Sequence, residues 1–349
     1  MRKAISVRVL SSLLLIGWSI VTKAEPLTQQ PWQEVVLSVT DLDRTAEFFT
    51  EIGGYKEKWR GPIDPSELRS WGLKESSSGE ALVLSQGSRE EGFVRLLRFD
   101  NVGFKQPTRP GSRSWDSGCF FSIMVRMRDM QSVYRDAIEL GWWTETPITQ
   151  HTFGESRLNI VVFQGPDGVQ VQSYERLSLP IPEAFPEFER FSGPFNLMQM
   201  VRDRDASHDF FTRVLGFATF YNGKPYVSEK PVYMPLGIPK NLTTTARYRT
   251  SIVYPLPGEL GRLEAIEMMD LDGHDYAERC KAPNLGILAV RYPVENAEDT
   301  ESTLQGREWP IEASVQAVTI APYGKVNLLA VKTPDGANIQ FYEPNAVSQ

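Results

Sequence analysis

Apolar and polar residues alternate at the start of residues 34–55, EVVLSVTDLDRTAEFFTEIGGY, and the spacing then changes to that of a helix. The alternation predicts a half-buried strand. Asp41 is placed to cap the helix that follows, and Phe48 and Phe49 recur on one helical face. Gly53–Gly54 is a typical helix stop. The stretch therefore predicts one strand followed directly by one amphipathic helix.

This stretch occurs four times along the chain. Residues 196–217, NLMQMVRDRDASHDFFTRVLGF, match it without a gap at a constant offset of 162 (201 − 39 and 216 − 54). Residues 118–141 are a second pattern of the same kind, and residues 283–306 are a weaker copy of it. Each half of the chain closes on a PDG turn followed by an alternating strand, at 165–176 and 333–344. The repeats predict four modules, each with a strand, a helix and about three more strands.

The repeated pattern V-x-D-x-D, a helix with F-F-x-x-x-L-G-F and a closing x-P-D-G strand resembles the vicinal oxygen chelate superfamily. That superfamily includes glyoxalase I, bleomycin-resistance proteins and extradiol dioxygenases. The resemblance implies an α+β fold in which four βαβββ modules pair into two half-barrel domains, each a cupped mixed sheet. We expect the first glyoxalase-like domain at 25–180, a proline-rich linker at 181–194 and the second domain at 195–349.

The resemblance also implies a divalent metal in each cup, held by side chains from the first and last strands of the modules, usually His, Glu or Gln. Carried over one at a time, these positions hold Glu34, Arg95, Phe120 and Gln172 in the first domain. In the second domain they hold Asn196, Glu267, Leu285 and Gln340. Each set has one carboxylate and no histidine, so we expect no metal cofactor. Oxygen ligands of this kind would suit Mg²⁺, Mn²⁺ or Ca²⁺ better than Zn²⁺ or Fe²⁺.

These positions supply the candidate functional residues. Glu34 and Glu267 are candidate catalytic carboxylates, and Glu34 with Arg95 is either an acid–base pair or a structural ion pair. His151 is a candidate base because imidazole titrates near neutral pH, although a single histidine in a loop is more often a surface residue. The remaining polar and aromatic positions are expected to line the cups and bind ligand: Arg95, Gln172, Asn196, Gln340 and Phe120.

Composition narrows the partners and the compartment. The net charge of −7 argues against a nucleic acid partner. Residues 1–24 combine a positive start, an apolar run and a small-residue cleavage point, which predicts a cleaved signal peptide and a secreted or periplasmic protein. The alternative is an uncleaved anchor; after cleavage no stable membrane insertion is expected. Cys119 begins a strand and Cys280 lies in a connecting segment, so their positions do not indicate a bond between them.

Three functions remain open at this stage. The leading hypothesis is an exported protein that binds a small, partly apolar organic molecule in its cups, either to sequester it or to act as a metal-independent isomerase or lyase. The second is a divalent-metal-dependent lyase or oxygenase with an atypical carboxylate and amide site. The third is a non-catalytic structural or interaction module. The expected partner is a small molecule, and the chain is a monomer or a homodimer.

Overall fold

The computed structural model describes residues 24–111 and 113–344. The predicted signal peptide therefore lies outside the described residues, apart from Ala24. Within these residues, no helix has both the length and the apolar character needed to cross a membrane.

All four modules follow the expected order. The first contains β1 (Glu34–Ser38), α1 (Leu42–Glu47, continued by a π-helical turn Phe48–Ile52), β2 (Lys56–Pro62), α2 (Pro65–Ser70), β3 (Ser78–Ser85) and β4 (Phe93–Asp100). The second contains β5 (Phe120–Arg126), α3 (Met130–Glu139), β6 (Trp143–Thr144), β7 (Thr149–Phe153), β8 (Ser156–Gln164) and β9 (Gln170–Arg176). The third contains β10 (Asn196–Met200), α4 (Arg204–Asp209, continued by a π-helical turn Phe210–Val214), β11 (Ala218–Asn222), β12 (Tyr248–Tyr254) and β13 (Arg262–Met268). The fourth contains β14 (Gly286–Pro293), α5 (Ala297–Gly306), β15 (Ile311–Ile320), β16 (Gly324–Lys332) and β17 (Asn338–Pro344).

The repeated aspartates and phenylalanines explain why each module starts in the same way. The Asp41 carboxylate accepts a hydrogen bond from the Arg44 backbone N–H, and Asp203 caps α4 in the same manner. These caps satisfy backbone groups that the first helical turn leaves free. The Phe48–Phe49 and Phe210–Phe211 pairs are at most 1% exposed and join the central core between the sheets and the helices.

Two curled eight- and nine-stranded sheets form the two half-barrels, which confirms the predicted fold class. Their strand orders are β15-β16-β17-β14-β1-β4-β3-β2 and β11-β12-β13-β10-β5-β9-β8-β6, with β7 paired to β8. The first module therefore shares a sheet with the fourth, and the second shares a sheet with the third. The predicted pairing of consecutive modules in the domains 25–180 and 195–349 does not match these sheets. The reason is that β1 pairs with β14, whereas β10 pairs with β5.

Consecutive modules instead join the two sheets to each other. The Asp167 carboxylate of the first PDG turn accepts from Thr40 N at 2.7 Å, and Asp335 of the second turn accepts from Arg202 N at 2.9 Å. Cys119 and Cys280 form a disulfide that connects the start of β5 to the segment before β14. The sequence positions gave no sign of this bond, because it depends on how the two sheets meet.

The expected linker, 181–194, does connect β9 to β10, and it is also packed against the fold. Phe185, Phe188 and Phe191 are 6%, 8% and 0% exposed, and Phe191 forms a backbone bridge with Met127. This segment therefore contributes apolar side chains to the interior as well as joining two modules.

Candidate functional site

Strand register identifies the residues that face each cup. In the first sheet, Val36 of β1 pairs with Arg95 of β4; in the second, Met198 of β10 pairs with Glu264 of β13. Arg95 and Glu264 therefore occupy equivalent positions. The expectation that Glu267 takes this place is wrong, because side chains alternate between the two faces of a strand and Glu267 lies on the opposite face from Glu264.

The same comparison corrects two further positions. Met124 of β5 pairs with Gln172, and Arg291 of β14 pairs with Gln340. By analogy with Glu34, which lies two residues before Val36, the cup positions of β5 and β14 are Ser122 and Ala289. Phe120 and Leu285 were expected there, but Phe120 joins the central core and Leu285 precedes β14.

The first cup is closed by a buried network of charged side chains. Glu34 Oε1 accepts from Arg95 Nε at 2.8 Å and from Arg291 Nη1 at 2.7 Å, and Glu34 Oε2 accepts from the Tyr323 hydroxyl at 2.7 Å. Arg291 also donates to Glu67 Oε1 at 3.0 Å and to Gln340 Oε1 at 2.7 Å. Glu34, Arg95 and Arg291 are 0% exposed. Two carboxylates and two guanidiniums therefore neutralise each other inside this cup.

The electrostatics of this network favour its ionised form. Burial alone would raise the pKa of Glu34, but the charges of Arg95 and Arg291, with the hydrogen bonds from Arg95 and Tyr323, hold that pKa below its ordinary value. Glu67 reaches the network from α2, and Tyr323 comes from the turn between β15 and β16. Of the two readings of Glu34 with Arg95, this geometry favours the structural ion pair.

Among the residues that the structure describes, the second cup has one carboxylate, Glu264, and no network of ion pairs like that of the first cup. Asn196 Nδ2 donates to Glu264 Oε2 at 2.8 Å, and Gln172 donates to the Tyr174 hydroxyl. The Ser122 hydroxyl lies 3.5 Å from Gln172 Oε1. Burial raises the pKa of Glu264 to about 7, against smaller opposing effects of the Asn196 hydrogen bond and the Arg262 charge. Glu264 is therefore partly protonated at neutral pH, whereas Glu34 is ionised.

Apolar side chains surround Glu264. We name the connection 223–247, between β11 and β12, the cover segment; it places Met234, Leu236 and Ile238 on the cup. The cluster also contains four methionines from the strands, Met124, Met198, Met200 and Met268. Five of the nine methionines of the chain thus meet in this cup, and methionine is a flexible side chain that adapts to differently shaped neighbours.

The other two catalytic candidates lie elsewhere. Glu267 accepts from the Arg204 backbone N–H at 2.8 Å and pairs with Arg249 at 2.7 Å, so it fixes the start of α4. His151 lies on β7 at the edge of the second sheet, where its ring contacts Thr149 Oγ1 at 3.2 Å and burial lowers its pKa. The structure thus brings together Glu34, Arg95 and Gln340 in one cup, and Asn196 and Gln172 in the other.

The donor sets do not fit the metal that the fold implies. In the first cup the chelating positions hold Glu34, Arg95, Ala289 and Gln340, and two guanidiniums already occupy the Glu34 carboxylate. In the second they hold one carboxylate, Glu264, with two amides and a hydroxyl. Divalent transition metals bind imidazole, thiolate and carboxylate groups. Within residues 24–111 and 113–344, no group of three or more His, Cys, Asp or Glu side chains is placed to hold a metal ion.

Two cavities, of about 320 and 300 Å³, lie on the surface outside both cups. The larger is lined by residues near the second PDG turn, and the smaller lies beside α1. Met234, Leu236 and Ile238 of the cover segment are buried against the strand methionines, so a ligand bound in the second cup has to displace some of these side chains.

Comparison with solved structures identifies the fold. Glyoxalase I from Zea mays superposes with a TM-score of 0.59 over 90% of this chain and 92% of that chain, at 16% sequence identity. A putative dioxygenase from Bacillus subtilis superposes with a TM-score of 0.54 over 92% of this chain and 86% of that chain, at 10% identity. No protein-family model matches the sequence, and no curated protein matches it either. The chain therefore has the vicinal oxygen chelate fold, built here from four modules. These likenesses establish architecture, and chemistry has to be argued from the site.

Proposed function

We propose that this protein is an exported, metal-independent binding protein that holds a small, partly apolar organic molecule in its second cup. The observation that supports this most directly is the difference between the two cups. The first is filled by mutually satisfied charges, whereas the second combines a single buried carboxylate with an adaptable methionine-rich lining. Buried polar groups among apolar side chains are typical of small-molecule sites.

Export is supported by two independent features. The predicted signal peptide at 1–24 directs secretion or periplasmic delivery. The Cys119–Cys280 disulfide is a bond that persists in oxidising compartments and is rare in the cytosol. Fractionation of cells that express the full chain tests this part: the mature protein should be found outside the cytoplasm without residues 1–24.

The binding function is tested by melting-temperature screens with a library of small organic molecules. A ligand that binds only the folded state raises the melting temperature, by mass action. Met198→Phe, which places a larger and stiffer side chain in the second cup, should reduce the shift, while Val36→Leu at the equivalent position of the first cup should leave it unchanged. If no compound raises the melting temperature, the binding function is wrong and a structural module is favoured. If Val36→Leu and Met198→Phe reduce the shift equally, the site is misplaced.

One observation favours a second candidate, a metal-independent isomerase. A general base works best when its pKa lies near the operating pH, and burial places the pKa of Glu264 at about 7. The ionised carboxylate would take a proton from a carbon next to a carbonyl group, which leaves an enolate, and the neutral acid would return the proton to the enolate oxygen, which gives the enol tautomer of the ligand. Deuterium from D₂O should then enter a ligand found in the screen, and Glu264→Gln should stop this exchange while binding persists.

A further inference from the structure

Three arginines lie at one end of the second cup, and we name them the arginine rim: Arg126, Arg176 and Arg262. Each arginine lies two residues from a residue of its own strand that faces the cup, and therefore lies on the same face of the sheet. The pairs are Met124 and Arg126, Tyr174 and Arg176, and Arg262 and Glu264. Register places Arg126 opposite Tyr174, and Arg262 opposite Asn196. Three strands of the second sheet, β13, β5 and β9, therefore deliver a guanidinium to the same end of the cup, with β10 between β13 and β5.

Positive charge at the rim exceeds the negative charge that pairs with it. Glu259 bonds to Arg126, through Nε at 3.0 Å and through a second, shorter contact from Nη2. Arg262 donates instead to the Gly258 carbonyl at 2.9 and 2.6 Å, and Arg176 donates to the Pro180 carbonyl at 3.2 Å. Arg176 Nε is buried without a hydrogen-bond partner among the described residues. Like charges held close together at a partly buried site are costly unless an anion compensates them.

The surroundings hold these guanidiniums in place. The Arg126 guanidinium lies between two rings, 5.0 Å from the centre of Phe185 and 4.9 Å from that of Phe195. Arg262 stacks 3.8 Å from the centre of the Phe220 ring. Arg126 and Arg262 are only 6% and 9% exposed. Burial and, to a lesser extent, the charge of Arg126 lower the pKa of both Arg176 and Arg262 against the opposing charge of Glu259, which indicates that the three arginines share one electrostatic environment.

The first cup provides a contrast. Arg95 and Arg291 are also buried, but two carboxylates, Glu34 and Glu67, neutralise them at 2.7–3.0 Å. At the rim of the second cup, Glu264 is the next carboxylate to face Arg262, and at neutral pH it is partly protonated. The Nε and Nη2 donors of Arg262 bond the neutral Gly258 carbonyl, so its positive charge is left for a carboxylate or phosphate to compensate.

We propose that the second cup selects small organic carboxylates, with the carboxylate at the arginine rim and the apolar body among the methionines. This inference rests on the proposed binding function and names its ligand class. An apolar body is favoured because the apolar cluster that includes Phe185 and Phe195, the two rings that contact Arg126, also contains Met124, Met198 and Met234. A carboxylate suits the site because Arg262 and Arg176 donate to backbone carbonyls and, among the described residues, neither is bonded to a carboxylate.

The test uses matched pairs of ligands in titration calorimetry at pH 6, where Glu264 is largely neutral. The pairs are benzoate, 3-phenylpropanoate and indole-3-acetate, each with its primary amide. We expect at least one carboxylate to bind tenfold or more tightly than its amide. Arg262→Gln should reduce that ratio to less than threefold while the amide retains its Kd. Arg213→Gln, which removes the same charge from an exposed pair with Asp209, should leave the ratio unchanged.

The outcomes separate this inference from the function on which it depends. Equal binding of acids and amides would overturn the carboxylate preference and leave the binding function intact. A preference that Arg262→Gln does not alter would overturn the assignment to the rim. If Arg262→Gln fails to fold, Arg262→Lys retains the charge without the fork and should give an intermediate ratio. If no pair binds at millimolar concentration, the inference is wrong, and a flat melting-temperature screen would then also remove the binding function.

Discussion

The two cups are built from equivalent strands in the same register, yet they stabilise buried charges in opposite ways. In the first cup, Arg95 stands at the position that Glu264 takes in the second. Arg95 is accompanied by Glu34, Arg291 and Glu67, so each charge has a partner. Glu264 receives one hydrogen bond, from Asn196, and its pKa rises to about 7. A duplicated scaffold therefore provides one cup stabilised by ion pairs and one with a carboxylate that titrates near neutrality.

This difference separates a structural role from a binding role. A neutralised network leaves little charge for a ligand to compensate, because each guanidinium in it contacts a carboxylate, although Arg95 Nη1 has no hydrogen-bond partner among the described residues. In the second cup, a single carboxylic acid lies beside more guanidiniums than it can neutralise, so a bound anion would balance the remaining positive charge. Sequence positions that are equivalent by duplication therefore need not have equivalent functions.

The largest effect is expected from breaking the first network. Glu34→Gln would leave Arg95 and Arg291 buried with less compensation, and removing one partner of a buried ion pair costs about 3–5 kcal/mol. Urea denaturation at pH 7 measures the loss, with the exposed Glu47→Gln as control, which should change stability by less than about 0.5 kcal/mol. A loss below about 1 kcal/mol would contradict a structural role for this cup.

The disulfide should contribute to the folding stability of both cups, because it joins the two sheets. Cys119 and Cys280 are 161 residues apart, and a cross-link of this length restricts the unfolded chain. We expect the double variant Cys119→Ser and Cys280→Ser to lose about 2–4 kcal/mol of unfolding free energy. Denaturation of oxidised and reduced wild-type protein gives an independent measurement, and agreement between the two sets would exclude an effect of the serines themselves.

A change of opposite sign is expected at Glu264. Its folded pKa of about 7 exceeds its ordinary value of 4.5, so the folded state holds a proton that the unfolded state releases between these pH values. Folding therefore becomes less favourable as pH rises from 4.5 to 7, and the penalty persists above 7. Glu264→Gln should stabilise the protein by about 2–3 kcal/mol at pH 8 and have little effect at pH 4. Destabilisation at pH 8 would show that the charged carboxylate is well solvated or paired.

The smallest effect is expected from chelation. Because neither donor set fits a transition metal, EDTA should leave the melting temperature of the mature protein within about 1 °C, since no bound ion contributes to its stability. Elemental analysis of the same sample should give much less than one divalent ion per chain. One ion per chain, lost together with stability on chelation, would support a metal-dependent enzyme instead.

Sequence patterns were sufficient for the modules but not for their arrangement. Alternation and helix caps such as Asp41 and Asp203 are local, so the four modules and the fold class could be predicted. Which modules share a sheet depends on long-range strand pairing. The first strand of each module has one partner module whether consecutive modules pair or the first pairs with the fourth, so local patterns do not distinguish the two arrangements. The Cys119–Cys280 bond could not be predicted for the same reason.

The site was predicted in part. Five of the expected residues do face the cups: Glu34, Arg95, Gln172, Asn196 and Gln340. Glu267 was assigned to a cup by an alignment of two strands that was three residues out of register. Local alternation could not correct this, since Glu264 lies between the apolar Leu263 and Ala265, and Glu267 likewise lies between Ile266 and Met268. The cover segment and the arginine rim had no local signal either, because loops and separate strands bring them together only in the folded chain.

The most direct test of the account is to titrate the two cup carboxylates by NMR of ¹³C-labelled glutamate, with Glu34→Gln and Glu264→Gln for assignment. We predict one glutamate signal that titrates at about 7 and disappears in Glu264→Gln, and another that stays ionised below pH 4.5 and disappears in Glu34→Gln. If both carboxylates titrate near 4.5, the two cups do not differ in charge state, and the division into a structural cup and a binding cup is wrong.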